Sequence, residues 1–239
     1  VALADKLETL IGMFGIGQVR TGDKDPFALR RHALGVLRML IEKELDVSLD
    51  DLVKTAFAVE TQVPGVADAE EALVNFFFDR LRVMMRDAGY SAQEVDAVLA
   101  LRDMRLVQTP KRLKAVREFM QLPEAESLTA ANKRISNILK KIEGGVSDEV
   151  KPELLTEAAE KALFDALGDH EPIARLLFEK GEFEAMLASL TPLKDAVDAF
   201  FANVMVNCED AAVRTNRQAL LKRLYVLMNR VAELSRLAK

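Results

Sequence analysis

The sequence predicts an all-α protein, with an up-and-down or orthogonal helical bundle toward its C-terminal end. Two observations lead there. Apolar residues recur at helical spacing from one end of the chain to the other, and no stretch alternates convincingly with period two. The composition agrees: of 239 residues 50% are hydrophobic and only 6% aromatic, there is no Trp, and Gly and Pro number 11 and 7. Such a chain can bury a real core. Its length suits one large or two modest domains.

The elements follow in order. Ala2 to Phe14 places Leu3, Leu7, Leu10 and Ile11 on one stripe, and Gly15-Ile16-Gly17 breaks it. The glycine-rich loop GIGQVRTGDKD lacks the GK[ST] ending of a phosphate-binding loop and follows no strand. Asp25-Pro26 reads as an N-cap with proline at the first helical position, opening a helix to about Leu45. Gly35 lies inside that helix, where it costs about 1 kcal/mol against Ala, so close helix packing is expected there. Ser48 caps a helix to about Glu60, with Asp50 and Asp51 near its positive end. Thr61 to Gly65 is a turn. Asp68 to Ala88 is a long helix, with Ala72, Phe76, Leu81 and Val83 to Met85 inward. Ser91 and Glu94 form a capping box for the next helix, and Arg102 to Pro110 is a hinge between two helical parts.

Pro110 to Ile142 reads as two amphipathic helices around Leu122-Pro123. Leu113, Val116, Phe119 and Met120 face inward in the first, opposite Lys111, Lys114, Arg117 and Gln121. Leu128, Ala131, Ile135, Ile138, Leu139 and Ile142 form the apolar stripe of the second, opposite Lys133, Arg134, Asn137, Lys140 and Lys141. Gly144-Gly145 ends the pair. Pro152 to Leu167 is a helix with Leu155, Ala158, Ala162 and Leu163 inward, closed by Gly168. Short helices follow from Pro172 to Lys180 and from Phe183 to Leu190, and Pro192 opens another with Val197, Phe200, Phe201 and Val204 inward. A long helix runs from Asp210 to about Leu237, its stripe formed by Val213, Leu220, Leu224, Leu227, Val231 and Leu234.

The net charge is −5, so bulk charge does not draw the chain to nucleic acid; the distribution of charge is more informative. Acids dominate from Asp148 to Asp210 and read as a solvated face. Basic residues gather before that segment, from Arg102 to Lys141, and after it, from Arg214 to Lys239. Two successive helices with cationic, amide-bearing faces are the footprint of a surface that meets phosphate. A solvated Lys/Arg surface gives the same pattern, and both readings stay open on spacing alone. The two histidines, His32 and His170, stand far apart, so a zinc site is poorly supplied. Cys208, the lone cysteine, has no nearby His to activate it and fits a reducing compartment. No metal site or catalytic group is expected within the chain. No apolar run approaches a membrane span, and no signal peptide is expected. The chain opens on Val1 inside a helical pattern, as expected of a piece of a longer protein.

Three stretches together resemble one family. They are TGDKDPFALRRHALGVLRML following ALADKLETLIGMF, the RLKAV and EAESLTAANKRISNILKK run, and AFFANVMVNCEDAAVRTNRQALLKRLYVLMNRVAELSRL. In order, over nearly the whole chain, they are similar to the beta subunit of bacterial-type tetrameric glycyl-tRNA synthetase. The resemblance implies the C-terminal third of a longer, cytoplasmic subunit. It implies a helical region over 1–104 that closes an HD-like domain, and a DALR-like anticodon-binding domain over 105–239. Asp5 matches the last acidic position of the HD metal motif, whose other members are absent.

The family's role implies an α2β2 assembly in which a separate alpha subunit joins glycine to its tRNA with ATP. This chain would grip glycine tRNA, chiefly its anticodon arm, and would hold no cofactor itself. The residues expected on that surface are Lys111, Lys114, Arg117, Lys133, Arg134, Asn137, Lys140, Lys141, Arg214, Arg217 and Lys222. In a bundle, the two basic segments would pack side by side into one cationic face. Asn137 or Asn132 would read unstacked bases, with Tyr225, Phe119 and Phe183 as stacking candidates, although core packing is the role expected first for Phe119. For Arg217, a partly buried pair with an acid such as Asp198 or Asp210 is an equal alternative. A helical scaffold that contacts the alpha subunit or other beta-subunit domains, with little tRNA affinity, is the alternative for the chain as a whole.

Overall fold

The computed structural model describes residues 1–18, 25, 27–60, 67 and 69–238, and its elements are helices throughout. The chain divides into two compact units. One comprises Val1–Val95 and Arg102–Pro110, the other Asp96–Leu101 and Lys111–Lys239.

In the first unit, α1 (Ala2–Gly15), α2 (Leu29–Glu42), α3 (Leu49–Glu60) and α4 (Glu70–Asp87) pack around one another. Leu7, Leu10, Ile11 and Phe14 are the buried stripe of α1, and Leu29, Ala33, Val36, Leu37 and Leu40 that of α2. A Cβ on Gly35 would lie 2.8 Å from the Lys6 Cε of α1, so the expected close approach is present. Asp25 does serve α2, but not as its immediate cap. Its carboxylate accepts from the N–H groups of Leu29 and Arg30, the first two residues of the helix, at 2.8 and 3.1 Å, and Ala28 at φ 56° stands at the cap position between Asp25 and the helix. The helix therefore starts later than expected, and it ends at Glu42 rather than Leu45. Pro26, much of the glycine-rich loop and the expected turn over 61–65 lie outside the described residues.

The inward face of α4 departs from the expected one. Leu73, Val74, Phe77, Phe78, Leu81 and Met85 are buried, whereas Ala72 and Val83 are exposed. Three consecutive phenylalanines allow more than one helical phase, and the core takes the two later ones. Phe76 sits at the margin against Phe14, with ring centroids 5.3 Å apart. Ahead of α5 (Ala92–Leu99) the expected capping box is present: the Ser91 N–H donates to Glu94 at 2.6 Å and the Glu94 N–H to the Ser91 hydroxyl at 3.2 Å.

The second unit holds α6 (Thr109–Phe119) from Lys111 onward, α7 (Ala125–Leu139), α8 (Ala158–Glu179), α9 (Phe183–Ala188), α10 (Leu193–Asn203) and α11 (Ala211–Met228). Helices α7, α8 and α11 form its frame, α10 packs on α7 and α8, and α9 on α8. Gly168 does not end a helix as expected: α8 runs through it and through Pro172. A glycine costs about 1 kcal/mol in a helix and a proline about 3 kcal/mol. The Glu157–Glu160 capping box and packing against α9, α10 and α11 hold α8 together across both. Ala158 and Ala162, expected inward, are exposed.

Helix α11 stops at Met228, short of the expected Leu237. Asn229 ends it, donating to the Tyr225 carbonyl at 2.7 Å while its side-chain oxygen accepts from the Leu234 N–H at 2.8 Å. The chain then turns, and Val231, Leu234 and Leu237 are buried from a new direction. In that turn the Glu233 N–H donates to the Ala97 carbonyl at 2.8 Å. Arg112 of α6, itself buried, donates to the carbonyls of Arg230 and Val231 at 2.7 and 3.1 Å.

Candidate nucleic-acid interface

The apolar stripe of α7 fixes which of its residues meet water. Leu128, Ala131 and Ile135 are buried, so Lys133, Arg134 and Asn137 project outward. Helix α11 packs on α7. Asp210 caps its N-terminus, accepting from the Ala212 and Val213 N–H groups at 2.8 and 3.1 Å. That cap positions Arg214 in the first turn, where its guanidinium donates to the Cys208 and Glu209 carbonyls at 2.8 and 3.3 Å.

A groove of about 630 Å³ lies along this junction. Its lining cations are Lys133, Arg134, Lys141 and Arg214, and its lining amides are Asn137, Asn207 and Gln218. Ala130, Ile138 and Ile142 complete the lining, which includes no carboxylate. The guanidinium of Arg134 stands 4.3 Å from the centroid of the Phe201 ring on α10. A groove with cations, amides and no acid suits a polyanion whose other groups present hydrogen-bonding edges.

The structure thus brings together five of the residues expected from sequence, Lys133, Arg134, Asn137, Lys141 and Arg214. Lys140 is exposed just before Lys141. The others lie elsewhere. Lys111 and Lys114 line a separate cleft with Phe183 and Glu184, and Lys114 pairs with Glu184 at 2.7 Å. Arg117 is half-buried. Lys222 binds the Val146 carbonyl and Asp148, each at 2.7 Å.

Arg217 is buried. Its guanidinium pairs with Glu160, which is completely enclosed, and also donates to the Met205 carbonyl at 2.8 Å. The partner is neither Asp198 nor Asp210, and Glu160 does not belong to a solvated acidic face. Burial alone would push the Glu160 carboxyl up. The hydrogen bond from Arg217 and the Glu157 N–H outweigh it, with further help from the Arg217 charge and Thr156, and hold it below the ordinary carboxylate value.

Asn132 is also enclosed, its amide against Met228 Sδ at 3.7 Å, so it is not a reader of bases. Phe119 and Phe183 are core residues, and the Tyr225 hydroxyl donates to Glu233 at 3.1 Å. The aromatic ring beside the basic groove is instead Phe201, expected only as core. Asn207 and Gln218 were not singled out by sequence. Their signal was proximity to the basic start of α11, which periodicity alone does not rank.

The geometry has counterparts among known proteins. Residues 128–234 match a family model described as the DALR anticodon binding domain, and this span encloses the whole groove. Residues 1–100 match the model described as glycyl-tRNA synthetase beta subunit. Proteins named glycine–tRNA ligase beta subunit align over essentially the entire chain. That of Janthinobacterium sp. (strain Marseille) is 56% identical over 239 residues, which is 34% of its own length. Those of Acidovorax sp. (strain JS42) and Leptothrix cholodnii are each 58% identical over 238 residues, 33% of theirs. The chain therefore spans about a third of the length of the curated relatives it matches.

Proposed function

Because the chain belongs to the glycine–tRNA ligase beta-subunit family, we propose that it supplies a tRNA grip, with the α7–α11 groove as the contact surface. One observation carries this reading: Lys133, Arg134, Lys141 and Arg214 converge there with no acid in the lining. Each phosphate neutralised by such a cation releases counterions, which makes the grip strong in dilute salt and weak in concentrated salt. Phosphate contacts position the RNA, and base contacts select it. Asn137, Asn207 and Gln218 are amides able to donate and accept together, as the edges of unstacked loop bases require. Arg134, steadied on Phe201, offers a flat cationic surface for a base to stack on.

In the complete enzyme this grip holds glycine tRNA by its anticodon arm while the alpha subunit attaches glycine with ATP, in a cytoplasmic α2β2 assembly. The chain itself carries no catalytic residue in this reading.

The test is a titration of the chain with glycine tRNA and a non-cognate tRNA at low and moderate salt. Binding that favours the cognate RNA and falls steeply with salt is expected. Equal binding to both, or affinity indifferent to salt, would refute the assignment.

A second reading, a scaffold for the alpha subunit or other beta-subunit domains, draws on the first unit. There Leu7, Ile11, Leu52 and Val59 line an open groove of about 760 Å³ between α1 and α3. Partner binding through such apolar anchors would change little with salt, which separates the two readings.

A further inference from the structure

Residues 204–210 join α10 to α11 and carry Asn207 into the basic groove. Burial alternates along them: Val204 and Val206 are buried, Met205 and Asn207 exposed. The two valines pin the stretch to the core and leave Asn207 on the outside. Among the described residues, no backbone–backbone hydrogen bond holds 205–209. Arginine side chains of α11 hold the carbonyls instead. Beyond Asn207, Arg214 donates to the Cys208 and Glu209 carbonyls at 2.8 and 3.3 Å. Before it, Arg217 donates to the Met205 carbonyl at 2.8 Å. Asn207 thus stands between two guanidinium clamps set about one helical turn apart on α11.

The two clamps differ. Arg214 itself lines the groove, whereas Arg217 is buried and takes no part in the lining. The rigid guanidinium of Arg217 spends its nitrogens in three directions. Nε meets Glu160, Nη2 meets the Thr156 hydroxyl at 3.1 Å, and Nη1 meets the Met205 carbonyl. Glu160 is fixed in turn by the Thr156 and Glu157 N–H groups, at 2.8 and 2.7 Å. Neutralising Glu160 requires only the first direction. The third ties this anchored pair to the backbone two residues before Asn207. An amide that discriminates among bases has to be held within about 0.5 Å of its productive place. We propose that Arg217 is a positioning residue for RNA selection: through the Met205 carbonyl it sets where Asn207 stands in the groove. This role rests on the groove being the tRNA contact.

Arg217→Ala would mix selection with lost stability, so the test uses the complete beta subunit carrying Glu160→Gln with Arg217→Met. The two substitutions remove both charges together and leave the Met205 carbonyl without its donor. Thermal unfolding should stay well above that of Arg217→Ala, and the salt slope of tRNA binding should not change, because no groove cation is lost. The preference for glycine tRNA over a non-cognate tRNA should fall about tenfold. Arg217→Lys gives a second readout. It keeps a charge beside Glu160 on one nitrogen in place of three, and should lose the same preference. Adding Asn207→Ala to either variant should cost no further preference, since both changes remove one and the same contact.

A preference as sharp as the parent's, an equal loss on both tRNAs, or losses that add to that of Asn207→Ala would each overturn the role of Arg217. Lys133→Glu with Lys141→Glu separates this from a failure of the groove itself. If that variant binds tRNA like the parent, the groove reading falls and the role of Arg217 with it. If it binds weakly while the Arg217 variants still discriminate, only the role of Arg217 falls.

Discussion

Arg217 and Glu160 meet inside the second unit although 57 positions separate them, and the carboxylate has no solvent exposure. Removing one partner of a buried pair strands the other, at a cost of about 3–5 kcal/mol. Arg217→Ala is expected to destabilise the chain on that scale in urea unfolding. A variant with both Glu160→Gln and Arg217→Met should recover much of the loss, and failure to recover would show that the pair does more than neutralise itself.

The same pair sets a pH dependence. The Glu160 carboxyl is held below its ordinary value in the fold, so its contribution is fully present above the unfolded-state value of about 4.3. That contribution is lost as pH falls below it. The stability of the parent chain should drop through this acid range, and that of Glu160→Gln should drop less. Parallel acid curves for the two would contradict the assignment.

Charge reversal tests the groove. Lys133→Glu with Lys141→Glu alters exposed side chains, so thermal unfolding should move little while tRNA affinity falls. The salt slope, plotted logarithmically, should shrink by about two, one for each lost phosphate contact. An unchanged slope would exclude these lysines from the contact.

Amide removal should behave differently. Asn137→Ala and Asn207→Ala keep the charge, so their effect should appear in discrimination between cognate and non-cognate tRNA. About 1–3 kcal/mol of preference is at stake for a residue that reads a base. A uniform loss on every tRNA would mark them as backbone contacts.

Gly35→Ala is expected to be neutral or slightly stabilising by thermal unfolding. The added methyl meets only the end of the flexible Lys6 chain, and the helix gains about 1 kcal/mol of propensity. A larger residue, as in Gly35→Leu, should destabilise.

Local chemistry was the legible part of this sequence. The Ser91–Glu94 box and the buried stripes of α1 and α2 rest on neighbours a few positions apart. The amphipathic pair α6 and α7 likewise appears at the expected place, with Leu113, Val116, Phe119, Leu128 and Ile135 buried. Errors arose where distant packing chose among local options. Three adjacent phenylalanines left the phase of α4 undecided, and α8 crosses Gly168 because its neighbours support both halves. Asn229 halts α11 by bonding both the carbonyl behind it and the N–H ahead. The groove was half legible. Its cations are visible as a charge pattern, but spacing does not reveal that Arg217 points inward while Arg214, three residues earlier, lines the groove.

The hydrogen bond from Glu233 to Ala97 bears on how this protein is cut for dissection. The compact unit that carries the groove includes Asp96–Leu101. A truncation beginning at 105 would therefore discard a piece of the domain it meant to isolate, and the returning tail would lose the carbonyl that receives it. Weak RNA binding by such a truncation would report on its damaged fold. A clone that starts ahead of Ser91, keeping the capped helix whole, is the one whose affinity can be compared with that of the full chain.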